Sequence, residues 1–113
     1  MSIQKWSDEI WVAQLSNEPA FSEDISALQH EIDQGKSIPH TVIDLSTVTH
    51  LNSSSLTNLL RLRKWAIDND RKLRLAAMID SVWVVFLTTG LDKIFEFSPD
   101  VPTALAGLQL DQG

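Results

Sequence analysis

Residues 41–67, TVIDLSTVTHLNSSSLTNLLRLRKWAI, constrain the fold more than any other stretch of the chain. Val42-Ile43-Asp44-Leu45 has the short apolar run of a buried strand, and after a polar turn Val48 and Leu51 return toward a core. Asn52-Ser53-Ser54-Ser55 follows, and then Leu56, Leu59, Leu60, Arg63 and Ile67 recur at helical spacing. A strand that runs through a serine-rich turn into an amphipathic helix needs further strands beside it and a sheet face under the helix.

The chemistry of the turn follows from the residues in it. Asn and Ser side chains accept hydrogen bonds from the first backbone N–H groups of a helix, which have no partner within the helix. The same N–H groups, together with the positive end of the helix dipole, favour an anion. A serine hydroxyl at this position is either a cap or an anion-facing group. A phosphate attached to it would add about −1.5 to −2 charges at pH 7.

The remaining segments alternate in kind. Ile10-Trp11-Val12-Ala13-Gln14-Leu15 reads as a strand, with a shorter one before it around Ile3 to Trp6. Ser16-Asn17-Glu18-Pro19 is turn chemistry. Ser22 is an expected N-cap, Glu23 and Asp24 put negative charge in a first turn, Ile25, Leu28 and Ile32 give a helical face, and Gly35 offers a C-cap. After the central helix comes the turn Asp68-Asn69-Asp70, and then a strand in Lys72-Leu73-Arg74-Leu75-Ala76-Ala77. Asp80-Ser81 is an expected cap for a helix carrying Val82, Val85 and Phe86 and ending at Gly90. Ile94, Phe95 and Phe97 suggest a short strand, and Ser98-Pro99-Asp100 opens a last helix with Ala104, Leu105 and Leu108 on its apolar side. The tail Asp111-Gln112-Gly113 is expected to fray.

Strands alternating with helices predict an α/β fold whose strand-helix-strand units are parallel and connected with right-handed crossovers. Pattern alone leaves a flavodoxin-like doubly wound sheet open. Three segments narrow the choice: Ile43-Asp44-Leu45-Ser46, Leu51-Asn52-Ser53-Ser54-Ser55-Leu56, and Thr88-Thr89-Gly90-Leu91-Asp92-Lys93-Ile94-Phe95. Together they resemble the STAS domain of bacterial anti-sigma factor antagonists. In that family a strand leads to an Asp-Ser-Ser-Gly-Leu motif at a helix start, and a Thr-Gly-Leu segment closes a later helix. The similarity runs in element order from about residue 10 to residue 108. It implies one STAS-like domain over residues 1–113, built on a small mixed sheet with helices mainly on one face.

The same resemblance implies a function. The first serine of the family motif is the phosphorylation site and corresponds to Ser53, with Ser54 and Ser55 as alternative acceptors. The implied partner-binding residues are Asn52, Ser53, Ser54, Ser55, Leu56 and Thr57. The implied partners are a serine kinase that doubles as an anti-sigma-type regulator and a phosphoserine phosphatase. The implied mechanism is partner switching in signal transduction and transcription regulation, with no catalytic residues in the chain itself. Two positions depart from the motif: Asn52 replaces its Asp and Ser55 its Gly. These departures leave two other readings open, a STAS module that binds constitutively and a small enzyme using the serine-rich turn as an anion site.

Composition excludes several other classes. With 43% hydrophobic and 21% charged residues, 113 residues suit one compact unit with its own core. The net charge of −6 argues against nucleic acid, because no basic stripe is present to displace counterions. There is no cysteine, so disulfides and thiolate zinc sites are absent. No signal-like N-terminus or membrane-length apolar run is present, and a cytoplasmic protein without membrane contact or cofactor is expected.

Other residue groups carry weaker expectations. His30, His40 and His50 do not share a helix face and have no ligand pattern around them, so no metal site is expected. No G-x-S-x-G elbow or phosphate-binding glycine loop occurs. Arg61, Arg63, Lys64, Arg71, Lys72 and Arg74 form a basic cluster that reads as a solvated face or as a match for an acidic partner. Trp11 and Trp83 are expected in the core, and Trp6 and Trp65 partly exposed.

Overall fold

A computed structural model describes residues 1–112. In chain order the elements are β1 (Ser2–Lys5), β2 (Ile10–Gln14), α1 (Ala20–Asp33), β3 (His40–Asp44), α2 (Ser53–Asp68), β4 (Leu73–Ala76), α3 (Asp80–Thr89), β5 (Glu96–Ser98) and α4 (Val101–Gln112), with a 3-10 turn at Leu91–Lys93. The five strands form one mixed sheet in the order β1-β2-β3-β4-β5. Strands β2 to β5 are parallel, and β1 pairs antiparallel at the β2 edge.

The register explains the two-sided core. Ile3, Ala13, Ile43, Leu75 and Phe97 lie directly beside one another across all five strands. This row faces the main core, where Phe21, Ile25, Leu28 and Ile32 of α1, Leu59, Leu62 and Ala66 of α2, and Val82 and Phe86 of α3 pack together. Because β2 to β5 stand in sequence order, crossovers of one hand put their three helices on one face of the sheet. Side chains alternate across a strand, so Ile10, Val12, Val42 and Ala76 face the other way. There they meet only Ala104 and Leu108 of α4 among buried partners within the described residues. The expected mixed sheet with helices mainly on one face is present, and the doubly wound alternative is not.

Several element ends differ from expectation. Helix α1 begins at Ala20, with Pro19 and not Ser22 at its N-cap, and ends at Asp33, with Gln34 and not Gly35 at its C-cap. Asp80 lies inside the first turn of α3, whose N-cap Ile79 provides no side-chain hydrogen bond. Ile94 and Phe95 are not in a strand: they follow the 3-10 turn, and pairing with β4 begins only at Glu96 opposite Arg74. Trp11 and Trp83 are half-buried at the margin of the core, where Trp65 also packs, while Trp6 is exposed. Lys5 Nζ lies 4.7 Å from the Trp11 ring centroid, so one face of that indole meets a cation. Helix α4 continues through Gln112, and the expected fraying at Gly113 lies outside the described residues.

Gly90 ends α3 as expected, in the left-handed region with φ +76°. A Cβ at this position would meet no heavy atom within 4 Å. Gly90→Ala is therefore a pure backbone test. It should cost about 1–2 kcal/mol, read as a lower urea midpoint with an unchanged slope.

Candidate functional site

The loops that leave the C-terminal ends of parallel strands gather along one edge of the sheet, where α/β proteins commonly bind ligands. Here the β3–α2 loop and the β2–α1 loop lie against each other. Asn17 joins them: its Nδ2 donates to Thr49 Oγ1 at 2.8 Å, and its Oδ1 accepts from the backbone N–H groups of Thr49 at 2.8 Å and His50 at 3.2 Å. Thr47 Oγ1 adds a bond to the Leu15 carbonyl at 2.8 Å. The approach to α2 is thus fixed by side chains from two loops.

Asn52 is the N-cap of α2. Its Oδ1 accepts from Ser55 N–H at 2.9 Å, and Ser55 Oγ in turn accepts from Asn52 N–H at 3.3 Å. This reciprocal pair is a capping box in which serine fills the place usually taken by Glu or Gln. The two departures from the family motif therefore form one local device.

Ser55 is wholly buried, and its hydroxyl lies 2.7 Å from Glu18 Oε2. Glu18 also accepts from Ser22 N–H at 2.9 Å through Oε1 and from the Ser22 hydroxyl at 2.7 Å through Oε2. Asn58, one turn along α2, donates to Ser22 Oγ at 2.8 Å. One carboxylate thus serves the starts of two helices, α1 and α2, where negative charge is favoured. Burial pushes the Glu18 carboxyl up, but the hydrogen bonds from the Ser22 hydroxyl, the Ser55 hydroxyl and the Ser22 N–H outweigh it and hold the pKa below its ordinary 4.5. The family motif has an Asp where this chain has Asn52, and here a carboxylate reaches the same helix start from Glu18.

The expected site residues separate by exposure. Asn52, Ser53, Ser54 and Thr57 are exposed, Leu56 is half-buried against the main core, and Ser55 is buried. The hydroxyls of Ser53 and Ser54 enter no hydrogen bond among the described residues, so they face solvent at the helix start. Ser53 and Thr57 stand one turn apart, and exposed Leu60, Arg61 and Lys64 continue that surface of α2. Sequence reasoning placed Glu18 and Asn17 in an ordinary turn and missed their contacts. The available signal was topological: parallel neighbours β2 and β3 send their following loops to the same edge.

The histidines do not converge. His30 is on α1, His40 on β3 and His50 in the β3–α2 loop, and no cluster of three or more His, Cys, Asp or Glu side chains suited to a metal occurs among the described residues. His40 Nδ1 accepts the Lys72 N–H at 2.9 Å, at the opposite end of the sheet from Ser53. Burial and then the Arg71 charge lower its pKa, against the opposing pull of Glu9. No helix of the described residues is long and apolar enough to cross a membrane.

These elements make a small α/β domain in which a braced helix start exposes two serine hydroxyls. The STAS domain family model matches residues 7–104, and the chain belongs to that family. Among solved structures it is similar to a putative anti-sigma factor antagonist from Thermotoga maritima, at 17% identity and TM-score 0.81, covering 96% of this chain and 93% of that one. A serine-to-glutamate variant of RsbS from Moorella thermoacetica superposes at 20% identity and TM-score 0.82, with 99% and 97% covered. A chain from a structure of the stressosome, described as a signal integration and transduction hub, gives 19% identity and TM-score 0.76, with 96% of each chain covered. A search of curated protein sequences finds no match.

Proposed function

We propose that the protein, acting as one STAS domain in the cytoplasm, is a phosphorylation-controlled binding protein that works by partner switching. Unphosphorylated, it holds a serine kinase that also acts as an anti-sigma-type regulator and so frees that regulator's other target. Phosphorylation of Ser53 releases the kinase, and a phosphoserine phosphatase resets the switch. The observation that carries this reading is the contrast within one turn: Ser53 is exposed at the first position of α2, while Ser55 is buried and bonded to Glu18. A kinase can reach the first hydroxyl without unfolding the helix start. Similarity to a putative anti-sigma factor antagonist and to a stressosome chain supports a regulatory role.

A phosphate on Ser53 would sit at the positive end of α2, where a negative charge is favourable by about 0.3–1 kcal/mol. The modified protein therefore stays folded. At a partner interface the same dianion must be desolvated and meets any partner carboxylate, and a loss of about 3 kcal/mol weakens affinity more than a hundredfold. The protein is then a substrate and ligand, not a catalyst.

Intact mass and site mapping of protein recovered from its own cells should find a single phosphate on Ser53. Ser53→Asp should lose capture of a kinase-like partner that Ser53→Ala retains. Absence of phosphate, with equal capture by all forms, would overturn the switch. That result would favour constitutive binding, a reading supported by the Asn52–Ser55 capping box, which completes the helix start without any phosphate.

A further inference from the structure

We propose a second docking surface, independent of the serine turn, that binds an acidic polypeptide segment with aliphatic side chains between its carboxylates. It is a shallow groove of about 160 Å³ between the C-terminal half of α2 and the first residues of β4 and β5, lined chiefly by Arg63, Ile67, Arg71, Lys72, Ile94 and Glu96. These strand starts lie at the opposite end of the parallel sheet from the β3–α2 loop.

Two features define the occupant. The first is exposed apolar surface: Ile67 is 54% and Ile94 41% exposed, and they flank a floor that includes Ala66 and Phe95. The second is charge. In a chain of net charge −6, this groove is lined by two arginines, Arg63 and Arg71, and its one carboxylate, Glu96, is paired with Arg74 at 2.6 Å. Arg63 donates Nε–H to the Ile94 carbonyl at 3.2 Å, and Arg71 donates Nε–H to the Ile38 carbonyl at 2.6 Å. Arg63 is thereby fixed against the groove's own lining, Arg71 is fixed between the groove and the neighbouring cavity that Ile38 lines, and neither arginine pairs with a carboxylate among the described residues. Anchored guanidinium groups suit carboxylates, which they can grip with paired hydrogen bonds.

An apolar centre within a charged rim is the anatomy of a protein interface. The groove is smaller than the roughly 300 Å³ at which small-molecule pockets begin, so it fits one or two side chains of a partner better than a free metabolite. The exposed Ile67 and Ile94 favour an occupant with aliphatic side chains over a uniformly polar polyanion such as RNA. Ile67 stands fourteen residues along α2 from Ser53, about 21 Å at 1.5 Å per residue. That is well beyond the screening length of about 8 Å at physiological salt, so phosphate on Ser53 leaves this surface unaffected. The proposal stands or falls apart from partner switching.

The test uses a fluorescein-labelled synthetic helix with leucines along one face and glutamates flanking them, beside a twin carrying lysines for glutamates. Anisotropy should show saturable binding of the glutamate peptide only. Ile67→Asp and Arg63→Glu should each weaken it at least about tenfold, with thermal melts confirming the fold, and Ser53→Asp should leave it unchanged. Because Ile67 is exposed its replacement spares the core, and amide shift mapping on the unaltered protein gives an independent readout, expected to centre on residues 63–73 and 94–96. The proposal is overturned if the glutamate peptide fails to bind or the lysine twin binds equally. Shifts confined to residues 47–58, or capture of phosphatidylglycerol vesicles in place of the peptide, would overturn it as well.

Discussion

Phe86→Ala is expected to remove about 3–5 kcal/mol of unfolding free energy, the range for truncating a fully buried aromatic ring. Phe86 has no exposed surface and projects from α3 into the main core. Its ring meets Phe95 edge-on at 6.0 Å and Phe97 at 5.1 Å, so one truncation deprives two other rings of contact. Domains of this size carry a total stability of about 5–15 kcal/mol, and the loss should lower Tm by more than about 10 °C. Leu87→Ala is the control: Leu87, next to Phe86 on the same helix, is itself 48% exposed, and its truncation should shift stability by about 0.5 kcal/mol or less. Urea titration of both variants checks the contrast. Equal effects would mean that α3 does not present Phe86 to the core.

Glu18→Gln should be the most damaging change at the serine turn, with an effect that depends on pH. The carboxylate accepts two hydroxyls and one N–H, all within 2.9 Å. An amide offers one acceptor oxygen and turns N–H groups toward the remaining donors, forfeiting about 1.5–3 kcal/mol of charge-assisted bonding. The folded-state pKa of Glu18 lies below its ordinary 4.5. The native state thus holds the ionised form more firmly than the unfolded chain does, and the linked stability is complete above about pH 4.5 and disappears as pH falls through the folded value. The stability gap between the unaltered protein and the Glu18→Gln variant should therefore be full at neutral pH and narrow in acid. His40, whose pKa is also lowered, makes a contribution that is complete above about pH 6.5 and is lost as pH falls through its own folded value. It is present in both proteins and cancels in the difference. Unfolding curves at several pH values measure the gap, and a constant gap would show that the hydrogen bonds do not favour the charged form.

The parts legible in sequence are those governed by neighbours along the chain. Asn52 has cap chemistry, so the start of α2 could be read locally, but of the expected row Leu56, Leu59, Leu60, Arg63 and Ile67 only Leu59 is fully buried: the buried side is Ser55, Leu59, Leu62 and Ala66, and Leu60 and Ile67 are exposed. Gly90 was readable for the same reason. Where tertiary pairing decides, local pattern failed: Ile94, Phe95 and Phe97 look like one strand, yet β5 begins at Glu96, where its pairing with Arg74 starts. Trp11 sits in an apolar run, but no run reveals how far a ring lies from the edge of the core. Glu18 is 37 residues from Ser55, and no short-range rule connects them. The resemblance to STAS domains located the serine turn, while the braces that hold it could be found only once the sheet order was known.

The uneven cover of the sheet has a consequence for how the protein opens. Three helices seal one face, whereas Val12, Val42 and Ala76 on the other rely on Ala104 and Leu108 of α4. Detaching α4 breaks no strand pairing and leaves the larger core intact, so it is the cheapest cooperative opening available to the molecule. Amide protons of α4 should exchange with solvent deuterium well before those of β3, whose slow exchange reports the unfolding of the whole sheet.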